Sequence, residues 1–259
     1  VSNIEVQINL KIVHNQIEMV KKNAFANLPR LENMYVEYNH LETIEPYAFE
    51  NLPSLVSIYL QHNNIKMLPM NTFVNLPNLK VVYLSDNNIE KFNQNWFAFT
   101  PQLKRLIINN NRVTFINMAA FQFLESLKSI AFNNNKIQHL HPLAFSGLTN
   151  LLELDLGHNK LLTFETKLTS FRILGRLGLN HNRLTYISMS ALKDVQYSLS
   201  VFYMQSNPLQ CSCVEELYFW ARRFNIDLFF KCQNRELYCV FPFFDDAQCV
   251  KRSQSEFDC

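Results

Sequence analysis

Asp155, His158 and His181 are the residues whose types and spacing come closest to chemistry. A carboxylate with two imidazoles can relay a proton, or ligate a metal where the donor atoms converge. The sequence completes neither arrangement. No serine or cysteine nucleophile is placed beside the cluster, and hydrolytic or acyl-transfer chemistry needs one next to its base. Histidines on exposed positions seldom point their rings at one centre, as a metal would require. The reading is a non-enzymatic chain with no catalytic residues, cofactor or metal.

The cysteines carry a different chemistry. Cys211, Cys213, Cys232, Cys239, Cys249 and Cys259 all fall near the C-terminus, and none precedes them. An even number crowded into a short stretch reads as a disulfide-stapled module in an oxidising compartment. Zinc is the rival, but Cys211-x-Cys213 has the wrong spacing for a zinc knuckle and no matching pair follows. Net charge is +2 with pI near 8.2, too balanced for a nucleic-acid or anionic-membrane binder. No apolar run approaches the roughly 18 residues of a membrane span. Val1 does not open a signal peptide, so a processed or trimmed chain is expected.

The element that positions all of these residues is a repeat. Asn15, Asn39, Asn63, Asn87, Asn111, Asn135, Asn159, Asn182 and Asn207 recur at 24 residues six times, then 23, then 25. A fixed period of about 20–29 residues is the signature of leucine-rich repeats. The fold expected is a leucine-rich repeat solenoid, or horseshoe. Short parallel strands line its concave face, and irregular or short helical turns its convex face. Residues 1–207 read as about nine coils, the first degenerate, with Gln7 in place of a leading leucine; residues 208–259 read as a cysteine-rich C-terminal cap.

One coil shows the logic. Leu79-x-x-Val82-x-Leu84-x-x-Asn87-x-Ile89-x-x-Phe92 places Val82 and Leu84 two apart, on one face of a strand. The asparagine follows, where the chain turns inward. Its amide both donates and accepts, so a column of Asn39, Asn63, Asn87, Asn111, Asn135, Asn159, Asn182 and Asn207 can satisfy backbone groups of buried turns. Phe25, Phe49, Phe73, Phe97, Phe121 and Phe145, ten residues after each asparagine, form an expected buried spine. The coil from Asn159 is one residue short and carries Thr169 at the spine position, which reads as a tolerated deletion or a local change in curvature. The F-x-x-L-P segments argue for short helical turns or extended chain on the outer arc.

Counting back from each asparagine leaves the recognition surface, the exposed strand positions expected on the concave face. Four residues before it lie Lys11, Tyr35, Tyr59, Tyr83, Ile107, Ala131, Asp155, Gly178 and Tyr203; two before it, Glu37, Gln61 and their equivalents; one before it, Tyr38, His62, Asp86, His158 and His181. Consecutive tyrosines offer contact area at low entropic cost, although tyrosine also suits any exposed strand. Gly157, Gly175 and Gly178 fall on neighbouring late strands, either to admit a partner's backbone or as drift. Lys104, Arg105, Lys128 and Arg176 add positive charge against Glu37, as a binding patch or a solvated rim. The partner-binding candidates are thus Tyr35, Glu37, Tyr38, Tyr59, Gln61, His62, Tyr83, Asp86, Arg105, Asp155, His158, Arg176 and His181.

At the C-terminal end, Asn207-Pro208-Leu209-Gln210-Cys211-Ser212-Cys213, then Leu217, Trp220 and a closing Cys259, resembles the cysteine-rich flank of extracellular leucine-rich repeat proteins. Within that group the asparagine-rich, F-x-x-L-P repeats and extra cysteines resemble insect leucine-rich immune proteins. Some of those act with complement-like thioester proteins, and some use extra cysteines for covalent pairing. The resemblance implies a secreted or surface-exposed module of innate immune or cell-surface recognition. Its expected partner is an extracellular protein, such as a complement-like or receptor protein, with no nucleic acid. By the same resemblance one cysteine of the Cys211–Cys213 pair bonds to the middle cysteines and the other to the distal ones, with Cys211–Cys232 the first choice. A microbial glycan or lipid is the alternative ligand. Dimerisation through the concave face, the N-terminal edge or the C-terminal cysteines is a further alternative.

Overall fold

The computed structural model describes residues 7–230, 239, 249 and 250. Its inner face is a parallel sheet of ten short strands: Ile8–Lys11, Leu31–Tyr35, Ser57–Tyr59, Val81–Tyr83, Arg105–Ile107, Ser129–Ala131, Glu153–Asp155, Arg176–Gly178, Val201–Tyr203 and Asp227–Phe229. Spatial order follows chain order, so each coil packs on its sequence neighbours and stability accumulates along the stack. Residues two apart point to the same side of a strand. That is why Val82 and Leu84 are fully buried, as are Leu106 and Ile108, while Tyr83 and Ile107 between them face outward.

The asparagine after each strand makes the turn in the way its chemistry requires. Asn87 Oδ1 accepts from Ile65 N at 3.0 Å, while its Nδ2 donates to Leu60 O of the previous coil at 3.0 Å. The same Nδ2 reaches Leu84 O and Ser85 O of its own coil, both at 3.1 Å. Asn39, Asn63, Asn111, Asn135, Asn159 and Asn182 repeat the pattern, and all are buried. Asn207 closes the column on Leu184 N, Leu179 O and Met204 O. Asn15 differs: it is exposed and donates to Val13 O two residues away.

The residue just before each asparagine is not on a strand, contrary to the expectation that it faces outward from the concave sheet. His14, Tyr38, His62, Asp86, Asn110, Asn134, His158, His181 and Ser206 all have φ between 51° and 59°. This left-handed conformation bends the chain inward. Asn, Asp and His tolerate it better than most residues, which explains their repetition there.

On the outer arc, Phe49, Phe73, Phe97, Phe121 and Phe145 are buried and Phe25 half-buried. Successive rings stack at 5.8, 6.0 and 5.4 Å from Phe25 to Phe97, and at 5.4 Å from Phe121 to Phe145. Early coils cross this arc as a small ladder of Phe25–Ala26, Phe49–Glu50 and Phe73–Val74. Later ones use a 3-10 turn at Gln94–Phe97 capped by Asn93, and a helical turn at Met189–Leu192 capped by Ser188. In the short coil the spine does not stop at Thr169. Thr169 is exposed, and Phe171 is buried against Phe145 at 6.1 Å, tilted by 49°.

The last coil is covered by the helix Cys211–Arg223, which buries Cys213, Val214, Leu217, Trp220 and Ala221 along one stripe. Cys211 bonds to Cys239 and Cys213 to Cys249. The expected Cys211–Cys232 bridge is therefore corrected. Cys211 does take a middle cysteine and Cys213 a distal one, but spacing alone does not choose between Cys232 and Cys239. Cys232 and Cys259 lie outside the described residues.

Candidate functional site

Strand register assembles the outward column residue by residue: Lys11, Tyr35, Tyr59, Tyr83, Ile107, Ala131, Asp155, Gly178, Tyr203 and Phe229 are successive pairing partners. Tyr35 stacks on Tyr59 at 4.6 Å and Tyr59 on Tyr83 at 5.0 Å, within 5° and 11° of parallel. Lys11 Nζ covers the other side of Tyr35, 5.4 Å from its ring centre. Ring faces are therefore turned along the solenoid axis, and ring edges are turned to the concave side. Burial pushes the Tyr59 phenol above its ordinary pKa; neighbouring Tyr35, Tyr83 and Glu37 add to the rise, and a hydrogen bond with Ser57 opposes it. Tyr59 thus stays a neutral donor throughout the physiological range.

Past Tyr83 the column drops to Ile107, Ala131 and Gly178 before rising again at Tyr203, which stacks on Phe229 at 4.8 Å. The drop is a hollow of about 520 Å³ lined by Tyr83, Arg105, Ile107, Asp155, Arg176 and Tyr203, among others. Arg176 is paired with Glu153 at 3.3 Å, and Glu153 also accepts from Ser129. Asp155 accepts from Gly157 N at 2.9 Å and Asn133 Nδ2 at 3.1 Å. Two of the late glycines are required by these neighbours, whereas a Cβ on Gly175 would meet only ordinary contacts, the nearest Ser200 Oγ at 3.6 Å. A Cβ on Gly178 would lie 2.7 Å from Asp155 Oδ1, and one on Gly157 2.7 Å from Asn180 Oδ1.

Glu37 and Gln61 are less available than their column position suggested. Both are half-buried, and Glu37 Oε2 and Gln61 Oε1 are shielded without a hydrogen-bond partner among the described residues. Tyr38, His62, Asp86, His158 and His181 lie on the turn beside the sheet. There His14, Tyr38 and His62 stack at 4.6 and 4.3 Å, and His62 Nε2 sits 3.7 Å from Asp86.

His158 and His181 stack at 4.0 Å, nearly parallel. Stacked rings do not aim their nitrogens at a common point, and no group of three or more metal-ligating side chains occurs among the described residues. Burial and, secondarily, the His158 ring lower the His181 pKa below 6.5. Because the folded value is depressed, the neutral His181 ring contributes stability above pH 6.5, lost as pH falls through the His181 pKa. An NMR titration should show His181 ionising below 6.5, and His158→Asn should move it upward.

Two features were missing from the sequence reading, which named Lys104 and Lys128 as positive charge but neither Lys80 nor their alignment as one row. Lys80 lies seven residues before Asn87, as Lys104 lies before Asn111 and Lys128 before Asn135. The same count that found the tyrosines would have found this row. The Tyr203–Phe229 stack was hidden because Phe229 follows the last asparagine and has no repeat position to mark it.

The comparisons agree with this geometry. The family model described as Leucine rich repeat matches residues 9–65, 53–106 and 101–161, together more than half of the chain. The chain belongs to the leucine-rich repeat family. This leucine-rich repeat protein, with its disulfide-bonded C-terminal flank, has no match among curated proteins. Its fold resembles that in the Toll–Spatzle complex of Drosophila, with TM-score 0.78 and 20% identity over 91% of this chain and 32% of that one. It also resembles the TLR13–ssRNA13 complex, at 0.59 and 23% over 76% and 25%. Human 5T4 (trophoblast glycoprotein) matches at 0.65 and 19%, over 97% of this chain and 87% of that one. The leucine-rich repeat chain thus spans about a third of the Toll chain it matches.

Proposed function

We propose that this protein is a non-enzymatic extracellular recognition module of innate immunity or the cell surface, in which the coils of residues 1–207, closed by the cap at 208–259, hold a protein partner on the concave face. The observation that carries the reading is the stacked row Tyr35–Tyr59–Tyr83. Its rings are held rigid by one another, so little side-chain entropy is lost on binding. Protein partners accept such a ridge of ring edges. A sugar platform needs open ring faces, and stacking covers those of Tyr59 while Lys11 and Tyr59 cover those of Tyr35, leaving open the one face that Tyr83 turns to the hollow, which weighs against the glycan alternative. Two disulfides fit an oxidising compartment, and among the described residues no helix is long and apolar enough to cross a membrane. Toll is recorded in complex with Spatzle, which makes a protein ligand a reasonable expectation for a chain of the same fold.

The test is capture from the animal's extracellular fluid with wild type and the Tyr35→Ala/Tyr59→Ala/Tyr83→Ala variant. Loss of central interface aromatics typically costs about 2 kcal/mol or more each, so the variant should retain none of the partner at micromolar protein. Equal capture by both proteins would remove the tyrosines from the site. Retention of wild type on lipopolysaccharide or β-glucan beads would move the reading to a glycan or lipid.

A further inference from the structure

Lys80, Lys104 and Lys128 enter three successive strands. Their backbones are directly bonded, Lys104 N to Lys80 O and Lys128 N to Lys104 O, each at 2.8 Å. Adjacent strands lie about 4.8 Å apart, so three lysine backbones stand in one row at the start of neighbouring strands, and their flexible side chains share that edge of the sheet. Arg105 stands beside them on the middle strand, exposed. Among the described residues the ion pairs are His62–Asp86, Lys66–Glu42 and Arg176–Glu153, and none involves these four cations. The strand segments from 80 to 83, 104 to 107 and 128 to 131 contain no aspartate or glutamate. Within the hollow Arg176 is neutralised by Glu153 while Arg105 has no ion pair among the described residues, and Lys80, Lys104 and Lys128 stand at the strand starts beyond its lining. Like charges in a row repel, and solvent only partly screens them at this spacing.

We propose that Lys80, Lys104, Lys128 and Arg105 receive an acidic segment of a protein partner, whose adjoining apolar side chain enters the hollow between Tyr83 and Tyr203. This rests on the concave face being the protein-binding surface and names the chemistry of what it binds. The hollow decides between polyanions. A sulfated polysaccharide would satisfy the cations but has nothing to place over Ile107, Ile130 and Ala131, which line the hollow. An acidic peptide with a leucine or phenylalanine uses both halves. The charged row steers and orients the encounter, and the apolar insertion gives it residence time.

The probe is a fluorescein-labelled, glutamate-rich decapeptide carrying one central leucine, measured against the full chain by anisotropy at low and physiological salt. Binding should weaken with salt and fall by about tenfold or more in Lys80→Gln/Lys104→Gln/Lys128→Gln and in Arg105→Gln. Ala131→Trp should fill the hollow, weakening the leucine peptide but not an all-glutamate control. Circular dichroism melts confirm that each variant is folded. Equal binding of a lysine-rich peptide, or unchanged binding by the triple lysine variant, overturns the proposal. So does heparin that binds more tightly than the peptide and is insensitive to Ala131→Trp. Partner capture separates the two levels: a partner lost with the tyrosine variant but kept with the lysine variant sinks the acidic class alone. A partner kept by both removes the concave-face reading as well.

Discussion

Asn111→Ala is expected to destabilise the protein by about 2–4 kcal/mol, although it deletes only an amide. The side chain is 6% exposed and bonded on every side. Ile89 N donates to its Oδ1 at 2.9 Å and has no other acceptor among the described residues, so alanine leaves that buried N–H orphaned. The carbonyls fare better, because neighbouring coils share them. Leu84 O also receives Asn87 Nδ2, and Ile108 O also receives Asn135 Nδ2. The cost is therefore concentrated on one donor and spread thinly over three acceptors. Asn111→Asp should be worse at neutral pH, since it keeps the acceptor for Ile89 N but aims a buried negative charge at carbonyl oxygens. Acidification should narrow the gap, because the protonated carboxyl regains a donor. Asn15→Ala, at the exposed start, should stay within about 0.5 kcal/mol of wild type. Denaturant melts give the ranking, and hydrogen exchange at the Ile89 amide locates the damage. An Asn111→Ala protein as stable as Asn15→Ala would mean that the column is ornament to a core held by apolar packing.

What the sequence made legible follows from which constraints repeat. Strand register, the inward apolar residues and the Tyr35–Tyr59–Tyr83 row were readable because each obeys the same 24-residue count, and a buried asparagine cannot slip along the stack without breaking its bonds. The turn position before each asparagine was read as outward-facing strand because counting gives distance along the chain and no dihedral angle. Only the repeated choice of His, Asp and Asn there, residues that tolerate a positive φ, hinted at a bend. Cysteine pairing stayed open since several connectivities satisfy the same spacing. The half-burial of Glu37 and Gln61 could not be seen either, because it depends on the bulk of neighbouring coils.

The irregular coil gives the second large effect. Phe171→Ala is expected to cost about 3–5 kcal/mol, in the range of a buried spine phenylalanine. Thr169→Ala should change stability by less than about 0.5 kcal/mol. Position counting assigns the spine to Thr169, yet that residue is exposed while Phe171 is 1% exposed. The physical reason lies in the length of the arc. In the preceding coils a leucine, Leu124 or Leu148, stands thirteen residues after the asparagine; Phe171 stands twelve after Asn159. With one residue missing, the spine place shifts to Leu168, nine residues after Asn159 and fully buried, so a leucine stands where the other coils carry phenylalanine. Phe171 enters at the place of Leu124 and Leu148, and its larger ring reaches Phe145 at 6.1 Å with a 49° tilt, making up volume that the smaller Leu168 does not supply. A cavity there would open between the middle coils and the cap, where each coil depends on its neighbours. Phe171→Leu is the informative companion. It restores the leucine of an ordinary coil but loses the ring contact with Phe145 beside the smaller Leu168, so it should fall between wild type and Phe171→Ala. Equal stability of Phe171→Leu and wild type in denaturant melts would show that the ring's contact with Phe145 contributes nothing, and that the short coil is a deletion the stack absorbs without compensation.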